Sequence, residues 1–257
     1  MDFKDKTVPW VILFGGKDRE KIIFRLVENR FKISTIIVPE HREPSLEICI
    51  NKIRAFTHLS IIEASTSDLH NTLEIYRGGN LLCIGYPYLV TEASLDLFQV
   101  AINVHPTLLP KYRGPNSGAY VLANGEKESG STVHFMTNKA DGGQIIIQQS
   151  IPLTRFDTTK SMQRKTYEIE PDLVLTALKL LYTGKTFAHQ VESEATIFPR
   201  RIPEDSQIDP TQRLIDLYDS IRSSDPDEYP AFFYINGEKV CIKLWRPNKP
   251  LDEHDLI

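Results

Sequence analysis

The sequence predicts an α/β protein with an open, mostly parallel, doubly wound sheet and a small C-terminal extension made of one helix and a β-hairpin. Wholly apolar runs such as Val8–Phe14 are typical of parallel strands that are buried on both faces. These runs alternate with amphipathic segments of helical length, which indicates repeated strand–helix units. Near the C-terminus, Asn236 and Gly237 join two segments of strand-like composition, and this dipeptide favours a two-residue hairpin turn.

The first half of the chain is predicted to supply most of the parallel strands. After Val8–Phe14, apolar residues at helical spacing between positions 22 and 27 predict a helix, and Asp18 is expected to cap it. Pro39 ends the next strand, because proline cannot donate to a ladder. Further strands are predicted at Ile33–Val38, Leu59–Glu63, Leu81–Ile84 and Val100–Asn103, with helices at Leu46–Ala55, Ser67–Arg77 and Thr91–Phe98.

After Gly114 the pattern changes. The predicted elements are helices at Ser117–Asn124, Thr158–Tyr182 and Pro210–Arg222, and strands at Ser131–Thr137, Gln144–Ile151, Ala231–Ile235 and Lys239–Trp245. A loop rich in proline and charge, Phe198–Ser206, separates the last helix and the hairpin from the rest. We therefore expect a core domain over residues 1–200 and a small extension over residues 201–257.

The composition limits the classes of function. The chain has 257 residues, of which 41% are hydrophobic and 25% charged, so a packed globular core is expected. The net charge of −4 and the pI near 6.0 argue against a general nucleic-acid binder. No apolar run approaches the roughly twenty residues of a membrane span, and the first ten residues hold no apolar run of signal-peptide length, so no signal peptide is expected. A cytoplasmic protein that binds neither nucleic acid nor membrane is expected.

Cysteines and histidines give little sign of metal or redox chemistry. Cys49, Cys83 and Cys241 are far apart in the sequence, which indicates free thiols in a reducing compartment. No histidine has a partner at metal-ligand spacing, so we expect no metal site.

Three chemically useful side chains are predicted at the ends of strands. Asn103 and His105 are two residues apart at the end of a strand, so their side chains point to the same side, and Pro106 then takes the chain out of the ladder. Asp141 lies in a turn before another strand. An amide, an imidazole and a carboxylate at such loop ends could serve acyl transfer. The alternatives are a polar strand end satisfied by loop backbone and an ordinary Asp-Gly turn.

Three sequence blocks follow one another in this stretch. They read Asn103-Val-His105-Pro-Thr107-Leu-Leu-Pro-Lys-Tyr-Arg-Gly114, Gly130-Ser-Thr-Val-His134 and Asp141-Gly-Gly143. Their order and spacing resemble the formyltransferases that use N10-formyltetrahydrofolate. Thr107 stands where the family has Ser, and Gly142 stands where it often has Thr or Ser. The resemblance implies a Rossmann-like formyltransferase core and N10-formyltetrahydrofolate as a co-substrate.

The resemblance also implies that Asn103, His105 and Asp141 are the catalytic residues. Formyl transfer requires an amine that loses a proton, a stabilised tetrahedral oxyanion and a protonated leaving nitrogen. Asn103 and His105 could donate to the oxyanion, and His105 with Asp141 could move the proton. Which of His105 and Asp141 takes the amine proton stays open. His134 either supports these residues or is a satisfied core histidine.

The region Leu81–Val90 resembles the part of the family that lies beside the pterin ring. The resemblance implies that Gly85, Tyr86, Pro87 and Tyr88 contact the co-substrate together with Asp141. The alternative is a strand–helix loop in which Pro87 acts as a breaker.

The tail resembles that of nucleotide-sugar N-formyltransferases, and the segments that carry this resemblance are Ile221-Arg222, Asp225–Phe233 and the Asn-Gly hairpin. This implies an acceptor that is a dTDP-, UDP- or GDP-linked amino sugar, formylated for a surface polysaccharide such as a lipopolysaccharide O-antigen. Arg200 or Arg201 could meet a diphosphate, or both could be a solvated loop pair. Asn116 and Tyr120 could line the acceptor pocket, although Tyr120 could equally be a core residue.

Three rival interpretations remain at this stage. A methionyl-tRNA formyltransferase would carry a longer C-terminal domain, and a formyltetrahydrofolate hydrolase would carry an extra N-terminal domain. A catalytically silent folate- or nucleotide-binding module would be expected to lack one of the three catalytic residues. A homodimer formed through the hairpin is expected, because a two-stranded ribbon leaves its edges unpaired.

Overall fold

The computed structural model describes residues 7–115 and 117–248. The strands are β1 (Trp10–Phe14), β2 (Ile33–Pro39), β3 (Ile61–Ala64), β4 (Asn80–Ile84), β5 (Val100–His105), β6 (Glu128–Phe135), β7 (Ile145–Pro152), β8 (Ala231–Ile235) and β9 (Glu238–Ile242). The α-helices are α1 (Glu20–Glu28), α2 (Pro44–Phe56), α3 (Leu69–Glu74), α4 (Glu92–Leu95), α5 (Gly118–Ala123), α6 (Thr159–Leu181) and α7 (Leu214–Arg222). Short 3₁₀ helices occupy Glu192–Glu194 and Pro203–Ser206.

The main sheet has seven strands in the order β3-β2-β1-β4-β5-β6-β7. The pairs β3–β2, β2–β1, β1–β4 and β4–β5 are parallel, whereas β6 is antiparallel to β5. Strands β8 and β9 form a separate antiparallel hairpin. The predicted α/β fold, with a mostly parallel sheet and a C-terminal hairpin, is confirmed.

The central strand β1 explains why wholly apolar runs predict this sheet. Trp10, Ile12 and Phe14 pack into one hydrophobic cluster with residues of α1, α2 and α6. Val11 and Leu13 point to the other face and pack with residues of α3 and α4. Because alternate side chains enter different cores, a strand covered on both faces shows no polar alternation in its sequence.

The start of α1 differs from the prediction. The sequence predicts Asp18 as its N-cap, but the helix begins at Glu20 after Arg19, with no capping bond from a side chain. Asp18 has a left-handed backbone with φ of 60°. Its N–H donates to Sγ of Cys49 at 3.1 Å. The predicted cap is therefore wrong, because the chain reaches helical geometry only after Asp18.

Two further boundaries move for physical reasons. Strand β5 continues to His105, two residues beyond the prediction, because β6 pairs with it as far as Thr132. Helix α7 begins at Leu214 rather than Pro210, because Asp209 holds a turn by accepting from the N–H of Thr211 at 2.9 Å.

The described chain divides into two compact units, and neither is a single stretch of sequence. One unit contains the chain up to His105, Ser131–Gln149 and Ile169–Glu192. The other contains Pro106–Gly130, Ser150–Glu168 and the chain from Ser193 onward. The boundary expected near residue 200 stays a prediction.

The second unit has its own small hydrophobic core. Ile208, Leu217, Ile221 and Ala231 form a hydrophobic cluster with residues of β8 and β9.

In the part of the chain that the structure describes, no helix is long and apolar enough to cross a bilayer.

Candidate active site

The carboxyl end of β5 carries two of the predicted site residues. Asn103 lies opposite His134 of β6, and His105 lies opposite Thr132. The side chains of Asn103 and His105 therefore share one face of the sheet, as the two-residue spacing predicts. His105 is buried and Asn103 is half-buried.

Asp141 reaches these residues from the turn between β6 and β7. Its backbone is left-handed, with φ of 52°. Nε2 of Gln190 donates to the carbonyl oxygens of Asp141 and Gly143, both at 2.7 Å. A Cβ at Gly143 would lie 1.9 Å from the carbonyl oxygen of Phe135, so only glycine fits there. The turn is thus fixed against the end of β6.

One carboxylate oxygen of Asp141 faces three side chains. Oδ1 lies 3.5 Å from Nδ1 of His105 and 3.5 Å from Nε2 of His134. Nδ2 of Asn103 donates to the same oxygen at 3.4 Å. The structure thus brings the three predicted catalytic residues together and adds His134 to them.

The hydrogen bonds of His134 orient the amide of Asn103. Nδ1 of His134 lies 2.8 Å from the carbonyl oxygen of Phe135, and a carbonyl only accepts, so Nδ1 carries the proton. In the neutral ring Nε2 is then an acceptor, and Nδ2 of Asn103 donates to it at 3.2 Å. Of the two interpretations of His134, the structure supports the one in which it holds a site residue in place.

The contact between His105 and Asp141 defines the chemistry that this cluster can perform. A carboxylate beside Nδ1 favours the tautomer protonated at Nδ1 and stabilises an imidazolium. The other ring nitrogen, Nε2, is then the basic one. The cluster combines an amide donor with a proton carrier, which is what acyl transfer to an amine requires.

The predicted co-substrate loop is closely packed against the loop after β1. The N–H groups of Gly15 and Gly16 both donate to the carbonyl oxygen of Ile84 at 3.1 Å. A Cβ at Gly15 would lie 2.7 Å from Cδ of Pro87, so the two loops meet where a side chain would clash. Gly85 has φ of 62°, which permits the sharp departure from β4.

Tyr86 and Tyr88 give this loop its aromatic character. Their rings meet edge to face, with centroids 5.5 Å apart. Tyr86 is 8% exposed, and its hydroxyl has no hydrogen-bond partner among the described residues. Burial raises the pKa of this phenol, so it is a neutral donor. An unpaired buried hydroxyl fits the polar edge of a bound heterocycle, which could satisfy it.

The Tyr112-Arg113-Gly114 part of the motif is structural. The N–H of Arg113 donates to the carbonyl oxygen of Thr196 at 2.8 Å. A Cβ at Gly114 would lie 2.3 Å from the carbonyl oxygen of Phe198. The ring of Phe198 stacks with Tyr112 and, at a centroid distance of 4.4 Å, with Tyr120. Tyr120 is half-buried in this stack, and Asn116 lies outside the described residues.

The two arginines of the tail loop have different surroundings. Arg201 donates to the carbonyl oxygen of Ser223 at 3.2 Å, to Oγ of Ser224 at 3.0 Å and to Oγ of Ser206 at 3.3 Å. Burial lowers the pKa of this guanidinium. Arg200 is exposed. Arg201 therefore ties the loop to the end of α7, and a diphosphate contact by either arginine stays a prediction.

One cluster of potential metal ligands occurs among the described residues. Ligand atoms of Asp18, Glu20 and Cys49 lie within 4.8 Å of one another. Nζ of Lys52 already pairs with Glu20 at 2.6 Å, and burial raises the pKa of the Cys49 thiol to about 11. A protonated thiol and a carboxylate that is already paired with a lysine are poor ligands. The expectation of no metal site stays a prediction.

Sequence reasoning missed Gln190, Arg19 and Glu170. Gln190 follows α6 in a segment without a motif. Glu170 did leave a signal, because it occupies the helix stripe that is otherwise formed by apolar residues such as Val174 and Ala177. A charged residue on an apolar stripe is rarely buried unless it is paired.

Comparison with known proteins decides the family. A family model described as "Formyl transferase" matches residues 20–178. The chain belongs to the formyl transferase family. This match includes Asn103, His105 and Asp141, and the predicted resemblance is confirmed.

Relatives of this formyl transferase chain have different functions. A methionyl-tRNA formyltransferase of Lactococcus lactis is 37% identical over 150 residues, which cover 58% of this chain and 46% of that protein. The chain thus spans about half the length of the curated relatives it matches.

Solved structures share the fold over nearly the whole chain. A 4-N formyltransferase from Francisella tularensis has a TM-score of 0.76 and 18% identity, and the match covers 93% of this chain and 98% of that one. An N-formyltransferase from Helicobacter canadensis, solved with folinic acid and dTDP-3-aminofucose, has a TM-score of 0.71 and 20% identity, with 90% and 85% covered.

The Asp-Gly-Gly turn yields a test of the site's construction. We expect Gly143→Ala to lower the free energy of unfolding by about 1–3 kcal/mol or more, because the new Cβ would overlap the backbone of β6. Gly142→Ala is the matched control, since its Cβ would meet only the flexible side chain of Lys139, at 2.9 Å. Urea unfolding measures both, and equal stabilities of the two variants would contradict the account.

Proposed function

We propose that this protein transfers a formyl group from N10-formyltetrahydrofolate to the amine of a nucleotide-linked amino sugar. The observation that carries the proposal is the cluster in which Oδ1 of Asp141 lies within 3.5 Å of Asn103, His105 and His134. The family match covers this cluster, and the carboxyl end of a parallel strand is where such folds bind ligands.

Each residue has a role that its contacts support. The amine attacks the formyl carbon, a new C–N bond forms, and the carbonyl oxygen takes up negative charge. The amide of Asn103 donates to this oxygen, and Nε2–H of His105 does so once the ring has taken up a proton. The proton lost by the amine passes to the His105–Asp141 pair and then to the folate nitrogen as its bond to carbon breaks. His134 holds the amide of Asn103 in place through one N–H, and the other N–H, which points to Asp141 at 3.4 Å, is the one proposed to turn to the oxyanion.

Folate binding is supported by the loop after β4. Gly85 lets the chain turn sharply, Tyr86 and Tyr88 offer aromatic surface, and the buried hydroxyl of Tyr86 offers an unpaired donor. The Helicobacter relative was solved with folinic acid, a formylated folate. The co-substrate supplies the formyl group, and no metal is needed for the steps described above.

The acceptor is proposed from the extent of the structural matches. Solved N-formyltransferases match over 90% or more of this chain, and one was solved with dTDP-3-aminofucose. In the part of the chain that the structure describes, Arg200, Arg201 and Tyr120 are proposed to contact the nucleotide sugar. A homodimer, a cytoplasmic location and a surface polysaccharide as the product's destination stay predictions.

Methionyl-tRNA is the second candidate acceptor, because of the 37% identity to the Lactococcus enzyme. That match covers 58% of this chain and 46% of the relative. The net charge of −4 disfavours a phosphate-rich macromolecular substrate. The nucleotide sugar therefore remains the first choice.

Replacement of the three catalytic residues tests the chemistry. Asn103→Ala, His105→Ala and Asp141→Ala should each lower kcat by about a hundredfold or more while the protein stays folded, since loss of one oxyanion donor has that effect. His70→Ala is the control, because His70 contacts Ser94 and lies outside the cluster. Steady-state kinetics with circular dichroism gives the result, and near-normal turnover by His105→Ala would remove it from the mechanism.

A panel of acceptors tests the substrate. Purified protein and N10-formyltetrahydrofolate are incubated with dTDP-, UDP- and GDP-linked amino sugars and, separately, with methionyl-tRNA. Mass spectrometry is expected to find a gain of one formyl group on a nucleotide sugar. Formylation of tRNA alone would overturn the proposed acceptor and keep the proposed chemistry.

A further inference from the structure

A buried ion pair lies behind the end of β5. Nε of Arg19 bonds Oε2 of Glu170 at 2.6 Å, and Nη2 of Arg19 bonds Oε1 at 2.7 Å, so the pair is bidentate. The Arg19 side chain is 3% exposed and that of Glu170 is not exposed at all. The two residues are 151 positions apart in the sequence, on the loop before α1 and in the middle of α6.

Side chains around this pair contact the last two carbonyl oxygens of β5, those of Val104 and His105. Nη2 of Arg19 also donates to the carbonyl oxygen of Val104 at 3.1 Å. Oγ of Ser131 lies 3.1 Å from the carbonyl oxygen of His105 and 3.0 Å from Oε1 of Glu170. The last carbonyl groups of the strand are therefore held by side chains that converge on one carboxylate.

Arg19 also lies against the predicted folate loop. A Cβ at Gly16 would lie 2.7 Å from Cδ of Arg19, and a Cβ at Gly85 would lie 3.2 Å from its Nη1. The Arg19 side chain thus lies close to the loops after β1 and β4 as well as to the end of β5.

Stability alone is a weak reason for such a pair. Burying two charges is costly, and replacement of a buried pair by apolar residues of similar volume is often neutral or stabilising. A bidentate arginine pair does, however, impose a fixed geometry on the groups it joins. The main contribution of this pair is therefore a fixed geometry of the groups around it.

We propose that Arg19 and Glu170 are positioning residues that, with Ser131, fix the place of the His105 imidazole beside Asp141. Neither touches the reacting atoms, and both act through the backbone of Val104 and His105. The proposal concerns catalysis and in that respect rests on the proposed function. Its geometric part, the position of His105, can be measured without turnover.

The test compares two double variants that each remove an ion pair between α6 and the α1 region. Arg19→Met/Glu170→Leu replaces the buried pair with apolar side chains. Arg25→Met/Asp172→Leu is the matched control, because Nη2 of Arg25 pairs with Asp172 at 2.7 Å where the side chains are 42% and 72% exposed. Ser131→Ala is a third variant, which removes one hydroxyl and leaves both charges.

The first readout is the ¹⁵N NMR titration of the His105 ring, assigned by the signal lost in His105→Asn. We expect the ring nitrogen shifts and the titration midpoint to change in the buried-pair variant and, less strongly, in Ser131→Ala, and to stay unchanged in the control. The second readout is kinetic. We expect kcat to fall about tenfold or more in the buried-pair variant, with KM within about threefold of the wild type.

The outcomes separate the two proposals. A folded buried-pair variant with an unchanged His105 titration overturns the positioning role, whatever the activity. If that variant does not fold, Ser131→Ala decides, and a wild-type titration and kcat there overturn the role. If the wild-type protein formylates no acceptor, the proposed function fails, and the NMR comparison still decides whether the pair sets the place of His105.

Discussion

The antiparallel pairing of β6 with β5 is the interaction on which the candidate site depends. The other pairs described from β3 to β5 are parallel, so β6 is the strand that reverses direction. In its register with β5, His134 lies opposite Asn103 and Phe135 lies opposite Ile102, so the chain leaves β6 beside the middle of β5, next to Asn103. The turn that carries Asp141 follows within a few residues.

Close packing then fixes the positions of the turn that carries Asp141 and of the loops after β1 and β4. Gly143 passes so near to Phe135 that no side chain fits, and Gln190 holds the carbonyl groups on both sides of the turn. Gly15 and Gly16 bring the loop after β1 against the loop after β4 in a similar manner. The site is thus set partly by close approaches of the main chain, at Gly143 and at Gly15, and partly by side chains such as Gln190 that bind main-chain carbonyl groups.

The parts of the fold that follow from local pattern were predictable from the sequence. β1 and β4 are apolar runs because each face enters a core, and the hairpin of β8 and β9 follows from Asn236 and Gly237. The convergence of Asn103 and His105 follows from the two-residue period of a strand. The approach of Asp141 was expected from the resemblance to a family.

The remaining features depend on contacts between distant parts of the chain. Asp18 is of a residue type that often caps helices, but α1 begins only after Arg19, whose side chain pairs with Glu170. The partner of His134 depends on the register between β5 and β6, and local sequence does not specify register across a long connection. Gln190 acts from a segment without regular structure, so no periodicity marks it.

The account's central claim is that the end of β5, together with Asp141, is where the formyl group reacts. A crystal structure of the protein with folinic acid tests it most directly, because this folate carries its formyl group on a different nitrogen and does not donate it. The account predicts the pterin beside Gly85–Tyr88 and the formyl group within hydrogen-bond reach, about 3.2 Å, of Asn103 or His105. A folate bound away from β5, with Asn103, His105 and Asp141 untouched, would contradict it.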